Sequence, residues 1–221
     1  MTTELCELGF QCSKKRVARI MRLHGIRPRP RRCFRPKTTI QDPSALPSPN
    51  LLAALLPPSE PGRQVVSDIT YIRTSEGWIY LAVVLDLFAR CILGWKLSNT
   101  LHAEVVTGAL QNALKRGVIP RGAHFHSDRG CQYTAVKTRT LLKAVGLTQS
   151  MSAKGYCYDN AFAESVFATL EADILPDTQT FPTRQAASAA VFDYIETFYN
   201  RKRRHSSLNN KAPLEVLVTH F

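Results

Sequence analysis

The chain is poor in several features that would point away from nucleic acid. Its six cysteines (Cys6, Cys12, Cys33, Cys91, Cys131, Cys157) form no Cys-x-x-Cys pair and stand at no His/Cys spacing typical of zinc, so a structural zinc site is excluded. They read as reduced thiols that mostly fill space in a cytosolic protein. No run of about 18 apolar residues could span a bilayer, and no signal peptide precedes the basic N-terminal region. Membrane roles are excluded and a cytoplasmic location is expected. Acidic residues are also scarce, with 17 Asp and Glu against 29 Lys and Arg.

That imbalance leaves a formal charge of +12 on 221 residues and points to a polyanionic partner. Eleven Lys and Arg fall between Lys14 and Lys37, and a second run, Arg201-Lys202-Arg203-Arg204, lies near the end. Either run alone could be an ordinary solvated face; two of them around a set of acids favour DNA. Within the first cluster, Ser13 is a plausible helix N-cap, and Val17, Ile20, Met21 and His24 recur at helical spacing up to Gly25. A short helix at 2–8 and a turn at Gly9-Phe10 precede it, which suggests a helix-turn-helix fragment. Lys14, Lys15, Arg16, Arg19 and Arg22 take its polar positions, where phosphates could be met. This basic segment is assigned to residues 1–37 and is expected to be truncated. Residues 38–62 carry six prolines, the composition of a linker, with Asn50-Leu51-Leu52 as a possible docking point.

From residue 63 to 221 the pattern changes. Strand-like stretches at 64–73, 78–86 and 90–98 are joined by short turns and predict an antiparallel meander. A helix at 102–116, a strand at 123–128, a helix at 134–145 and a strand at 147–151 follow. One long helix starts around Asp159 and another covers 183–200. Together these predict an α/β domain with a mixed sheet and helices on its faces.

Three carboxylates in this domain belong together: Asp68 in VVSDITYI, Asp128 in HFHSDRG and Glu164 in CYDNAFAES, with 35 residues between the last two. Val66, Asp68, Thr70 and Ile72 share one face of a buried-looking strand, where an acid is costly without a partner. Asp128 ends a strand before a turn-like Arg-Gly, and Glu164 shares a helix face with Asn160 four residues earlier. Phe162, Val166 and Leu170 form the stripe expected to face the core. Divalent metal relieves the repulsion within such a trio. Two Mg²⁺ (or Mn²⁺) ions held by carboxylates are a common apparatus for in-line displacement at phosphodiesters. Asp86, His126 and Asn160 are supporting candidates. Asp86 is expected to shape its turn or pair with Arg90 rather than bind metal; His126 either contacts the site or DNA, or packs.

Four stretches carry a resemblance: VVSDITYIRTSEGWIYLAVVLDLFARCILGW, HSDRGCQY, SMSAKGYCYDNAFAES and YNRKRRHSSLNNKAPLEVL. They resemble the catalytic half of bacterial transposases of the insertion-sequence-three group, within the DDE and retroviral-integrase superfamily. The resemblance implies an RNase H-like fold, divalent metal, and cleavage at transposon ends followed by strand transfer. By motif position it puts the catalytic acids on Asp68, Asp128 and Glu164. Asn200, Arg203 and His205 match the C-terminal block, where contact with DNA or bracing of the final helix is expected; Arg201 and Arg204, with Arg203 and His205, are the DNA-contact candidates of this region. It further implies insertion-end and target DNA as partners, a homo-oligomer in the synaptic complex, an upstream reading-frame product or frameshift fusion, and association with the nucleoid. The chain departs from the family at three places: Glu171 stands seven residues after Glu164, where a lysine is usual, Val66 lies near a common tryptophan, and Tyr156 replaces a small polar residue. A second reading is therefore carried: a truncated, catalytically impaired DNA-binding remnant that modulates full-length transposase. An RNase H-type nuclease is a third, disfavoured by the basic segment and the 35-residue spacing.

Overall fold

The computed structural model describes residues 1–27, 47–153, 161–176 and 178–220. It divides into two compact units, Met1–Arg32 and Cys33–Phe221. The first contains α1 (Thr2–Glu7) and α2 (Lys14–Leu23). Ser13 caps α2 as expected, its Oγ accepting the Arg16 N–H at 3.2 Å. Val17 is its buried residue, whereas Ile20 and Leu23 are exposed.

The second unit is built on a five-stranded sheet of order β3-β2-β1-β4-β5. Its strands are β1 (Gln64–Thr74), β2 (Gly77–Asp86), β3 (Ile92–Ser98), β4 (His124–Ser127) and β5 (Thr148–Met151). β1 to β3 form the expected antiparallel meander, while β4 and β5 run parallel to β1. Parallel neighbours need crossovers, supplied by α3 (Ala103–Leu114) and by α4 (Cys131–Thr134) with α5 (Val136–Val145). One core, containing Val65, Val84, Leu110, Phe125 and Tyr133, covers one face of the sheet. The other, containing Val66, Leu81, Val83, Val166, Leu170 and Val191, joins the opposite face to α6 (Ala161–Ile174) and α7 (Arg184–Asp193). The apolar run through β2 follows from coverage on both sides. Gly94 lets α3 lie close on β3: a Cβ there would stand 2.3 Å from both the Ala109 carbonyl oxygen and the Ala113 nitrogen.

Several boundaries differ from the sequence expectation, each for a local reason. The third strand starts at Ile92, because residues 87–91 form a turn locked by Asp86. The fully buried Asp86 carboxylate accepts N–H bonds from Gly62 (2.8 Å) and Ala89 (2.7 Å). The expected helix at 134–145 is split, since Ala135 takes an extended conformation. The helix expected at 183–200 is α-helical only to Asp193 and continues as a π-helical turn, Tyr194–Tyr199. A short final helix, α8 (Pro213–Val218), closes the C-terminal segment. Phe162 does not join the core stripe; it is 43% exposed, while Val166 and Leu170 are buried.

Part of the proline-rich segment is bound to the domain. The N–H groups of Leu51 and Leu52 reach Ser150 Oγ at 2.9 and 3.3 Å, and the Met151 N–H reaches the Pro49 carbonyl. These contacts cover the outer edge of β5, a device that blunts edge pairing. Among the described residues no helix is long and apolar enough to cross a membrane, and Cys6, Cys12, Cys91 and Cys131 are free thiols.

The C-terminal segment is fastened to β3 by Asn200. Its buried amide donates to the Ile92 carbonyl at 3.0 Å and accepts the Ile92 N–H at 2.9 Å. Asn200→Ala leaves both groups of Ile92 buried and unpaired. The expected loss is about 2–3 kcal/mol, checked by urea unfolding followed by circular dichroism.

Candidate active site

β1 and β4 pair in parallel as far as Ser67 with Ser127. Asp68 and Asp128 each follow by one residue, so the two acids are neighbours, Asp68 within β1 and Asp128 just past the end of β4. β4 ends at Ser127 whereas β1 runs on to Thr74, and both aspartates are partly exposed while Ser67 and Ser127 are fully buried. Asp68 Oδ1 accepts its neighbour's N–H, from Ile69, at 2.8 Å. Asp128 Oδ1 accepts the Gly130 N–H at 2.9 Å. A Cβ on Gly130 would approach that same oxygen to 3.0 Å, so glycine suits the folded-back carboxylate.

Beneath the pair lies Tyr133, fully buried, with its hydroxyl 3.2 Å from Ser67 Oγ. Burial, together with the charges of Asp68 and Asp128, pushes its phenol well above the ordinary tyrosine range. The hydroxyl therefore stays neutral. The sequence showed HSDRGCQY as a motif, but nothing local in it indicated that Tyr133 would reach under the strand ends.

Glu164 comes from α6, which packs on the face of β1 that carries Val66, Asp68 and Ile72. Thr70 Oγ1 donates to Glu171 Oε1 at 2.9 Å, which ties the later part of α6 two residues beyond Asp68. Glu164 precedes Glu171 by seven residues, close to two turns and roughly 10 Å along the axis, on nearly the same side of the helix. The Phe162 ring meets Arg90, in the turn after β2. Glu164 thus lies on the helix that packs against the face of β1 carrying Asp68. Among the described residues no group of three His, Cys, Asp or Glu side chains is close enough to hold one ion. The structure therefore brings Asp68 and Asp128 together and sets Glu164 above their face without closing the trio. The donors are hard, partly exposed oxygens, which fit a divalent cation such as Mg²⁺.

The supporting candidates separate. Asp86 pairs with Val65 on the opposite face of the sheet from Asp68 and shapes the turn. Burial raises its pKa, against the lowering effect of the N–H bonds from Ala89 and Gly62. His126 is fully buried, with Nδ1 2.8 Å from Ser150 Oγ and Nε2 3.1 Å from Ser152 Oγ; it ties β4 to β5. Asn160 lies outside the described residues. Lys14, Lys15, Arg16, Arg19 and Arg22 are all exposed on α2. Arg201 and Arg204 are exposed as well, while Arg203 pairs with Asp173 at 3.0 Å. His205 stacks edge-on against Tyr199, and burial holds its pKa down at about 4. Arg203 and His205 thus brace the C-terminal segment.

A mixed five-stranded sheet in this order, with one aspartate within β1, another just beyond the neighbouring end of β4 and a glutamate on the helix packed on that sheet face, is the RNase H-like fold of integrase catalytic cores. The family described as integrase core domain matches residues 58–157, and a second family of that description matches residues 145–213. The transposase InsF of insertion sequence IS3A from Escherichia coli (strain K12) is 42% identical over 214 residues, covering 96% of this chain and 73% of that protein. The transposase of insertion sequence element IS904 from Lactococcus lactis subsp. lactis (strain IL1403) is 37% identical, covering 96% and 83%. The chain belongs to the transposases of the insertion-sequence-three group. Among solved structures, the simian T-cell lymphotropic virus intasome in complex with PP2A regulatory subunit B56 gamma matches at TM-score 0.60 and 14% identity, covering 96% of this chain and 68% of that one. The HTLV-2 integrase catalytic core domain in complex with magnesium matches at 0.53 and 15%, covering 74% and 99%.

Glu171 is the departure with a visible structural effect. Burial raises its pKa, against the lowering influence of the Thr70 hydrogen bond. The neutral acid is thus favoured in the folded state, and ionisation opposes folding as pH climbs from the unfolded pKa through the folded one. Glu171→Gln keeps an acceptor for Thr70 without the charge. It is expected to match wild-type stability near pH 4 and to exceed it at pH 7 by no more than about 1 kcal/mol. Chemical unfolding at the two pH values checks the sign.

Proposed function

We propose that this chain is a DDE transposase that cleaves DNA at insertion-sequence ends and joins the freed ends to target DNA, with Asp68, Asp128 and Glu164 as its catalytic acids. The observation that supports this most strongly is the placement of Asp68 within β1 beside Asp128 at the end of the parallel neighbour β4, with the Glu164 helix packed on the face of β1 that carries Asp68. The relatives' name, transposase, and the fold agree with it. The impaired-remnant reading is not favoured by similarity that runs through 96% of the chain and retains all three acids.

Asp68, Asp128 and Glu164 would hold two Mg²⁺ or Mn²⁺ ions; bound there, the metal supplies an activated oxygen nucleophile and stabilises the leaving oxygen during in-line displacement. The chain's own residues do the rest. The backbone N–H groups of Ile69 and Gly130 hold the two aspartates in fixed orientations. Tyr133, kept neutral by burial, supports the strand ends from below without adding charge. α6 carries Glu164 on the face of the sheet that holds Asp68. The exposed cations of α2, with Arg201 and Arg204, would contact DNA phosphates, a sequence-independent attraction that falls with salt. Partners in this reading are DNA and further copies of the chain in a synaptic complex, and an upstream reading-frame product or fusion could complete end recognition.

Labelled insertion-end duplex incubated with the protein and Mg²⁺ or Mn²⁺ provides the test. Asp128→Asn is expected to lower cleavage and strand transfer at least about a hundredfold while leaving duplex affinity unchanged. Binding by the wild type without product in either metal would favour the impaired remnant. The role of α2 is checked separately by titrating salt. Arg16→Ala with Arg19→Ala should flatten the log K against log salt plot by about 0.9 for each phosphate no longer neutralised; an unchanged slope removes α2 from the interface.

A further inference from the structure

Phe162 stands two residues before Glu164, on the first turn of α6, and it is exposed where a core residue was expected. Its ring is not bare. The guanidinium carbon of Arg90 sits 3.7 Å from the ring centroid, a close cation–π stack.

Arg90 is held with unusual firmness for a turn residue. Its backbone is left-handed at φ 56°, which is uncommon outside glycine, asparagine and aspartate. The conformation is maintained from both sides. Asp86 receives the Ala89 N–H at 2.7 Å, and its own N–H reaches the Cys91 carbonyl at 2.9 Å. The Tyr199 hydroxyl donates to the Arg90 carbonyl at 3.1 Å. Nη1 of Arg90 is buried and has no hydrogen-bond partner among the described residues. The aromatic face is therefore the contact that compensates this end of the guanidinium.

We propose that Arg90 is a positioning residue for Glu164, acting through Phe162. This rests on Glu164 being the third acid of the site. The later part of α6 is anchored elsewhere, by Glu171 on Thr70 and by Asp173 on Tyr194 and Arg203. Those anchors fix the far end of the helix, and at its start Ala163 packs in the core, so the Phe162–Arg90 stack holds the outward side of the first turn. Side chains two residues apart on a helix diverge by about 200°. Pinning the Phe162 ring to a rigid turn therefore sets the rotation of the first turn and so the direction in which Glu164 projects. The buried Asp86 thus serves the site at one remove, by holding the turn from which Arg90 reaches out.

Hydrogen exchange on the full chain, without metal, reads the clip independently of catalysis. The amides of residues 165–168 report on the first hydrogen-bonded turn, since the leading N–H groups of a helix lack intrahelical partners. Arg90→Ala and Phe162→Leu should each speed exchange there by about tenfold, with residues 171–174 unchanged; Phe162→Trp, which keeps a π face, should preserve protection. The Arg90→Ala, Phe162→Leu double variant should be no faster than either single change, because both remove the same stack. In the cleavage assay the two single variants should lower kcat with KM for DNA unchanged, and Phe162→Trp should rescue. Unaltered exchange at 165–168, additive effects, or faster exchange spread equally over β1 and α7 would overturn the proposal. So would loosened exchange with unchanged kcat. If Glu164→Gln leaves cleavage untouched, the failure lies with the assignment of the acid, and the exchange pattern still decides whether the clip exists.

Discussion

The site depends on unequal strand lengths. β1 lies at the centre of the sheet and would bury any side chain along it, yet it carries an aspartate. It can do so because β4 stops at Ser127, level with Ser67. One residue later β1 has lost a neighbour on that side, and burial falls from complete at Ser67 to partial at Asp68 and Ile69. A carboxylate is thus partly exposed in the middle of a largely buried strand, where its ionised form is tolerable. The same termination places Asp128 on the turn leaving β4. A longer β4 would have buried the first acid and moved the second away from it.

Two further acids of this domain, Asp86 and Glu171, show what environment does to one functional group. Asp86, on the opposite face, is fully buried and has both oxygens engaged by backbone N–H groups, so it is an internal brace for the turn after β2. Glu171 faces the site's side of the sheet, hydrogen-bonded to Thr70 and favoured in its neutral form by burial. Where the family usually has a cation, this chain holds a carboxyl tied to the sheet. It secures the far end of α6 while making that surface less attractive to phosphate.

Much of this was legible from residue order alone, and the reasons are local. Period-two alternation identified the meander within two residues at each strand end, because β1 and β2 pair across a tight turn and need no distant partner to define them. Ser13 was recognisable as a cap because capping is a matter of three successive residues. The misjudged points each involve a distant contact. Phe162 fits a core stripe by spacing, but its ring is claimed by Arg90, more than seventy positions earlier. The helix after Thr183 changes to a π-helical turn at Tyr194, where Asn200 must reach the backbone of Ile92. For Arg203 and His205 residue order left DNA contact or bracing open, and the contacts with Asp173 and Tyr199 inside the domain are likewise distant in sequence or set by folding.

The sequence by itself determined which side chains can perform the chemistry. Motif and spacing single out Asp68, Asp128 and Glu164, the basic clusters declare a polyanionic partner, and alternation sets the sheet. Only the tertiary structure decided their arrangement: that two acids lie together because β4 is short, that Tyr133 supports them from beneath, and that Asp86 faces away. The physical reason is range. Propensity, capping and alternation act between residues a few positions apart and are written in the order of the chain. Side-by-side carboxylates and a stacked guanidinium arise only where packing joins segments that the sequence keeps far apart.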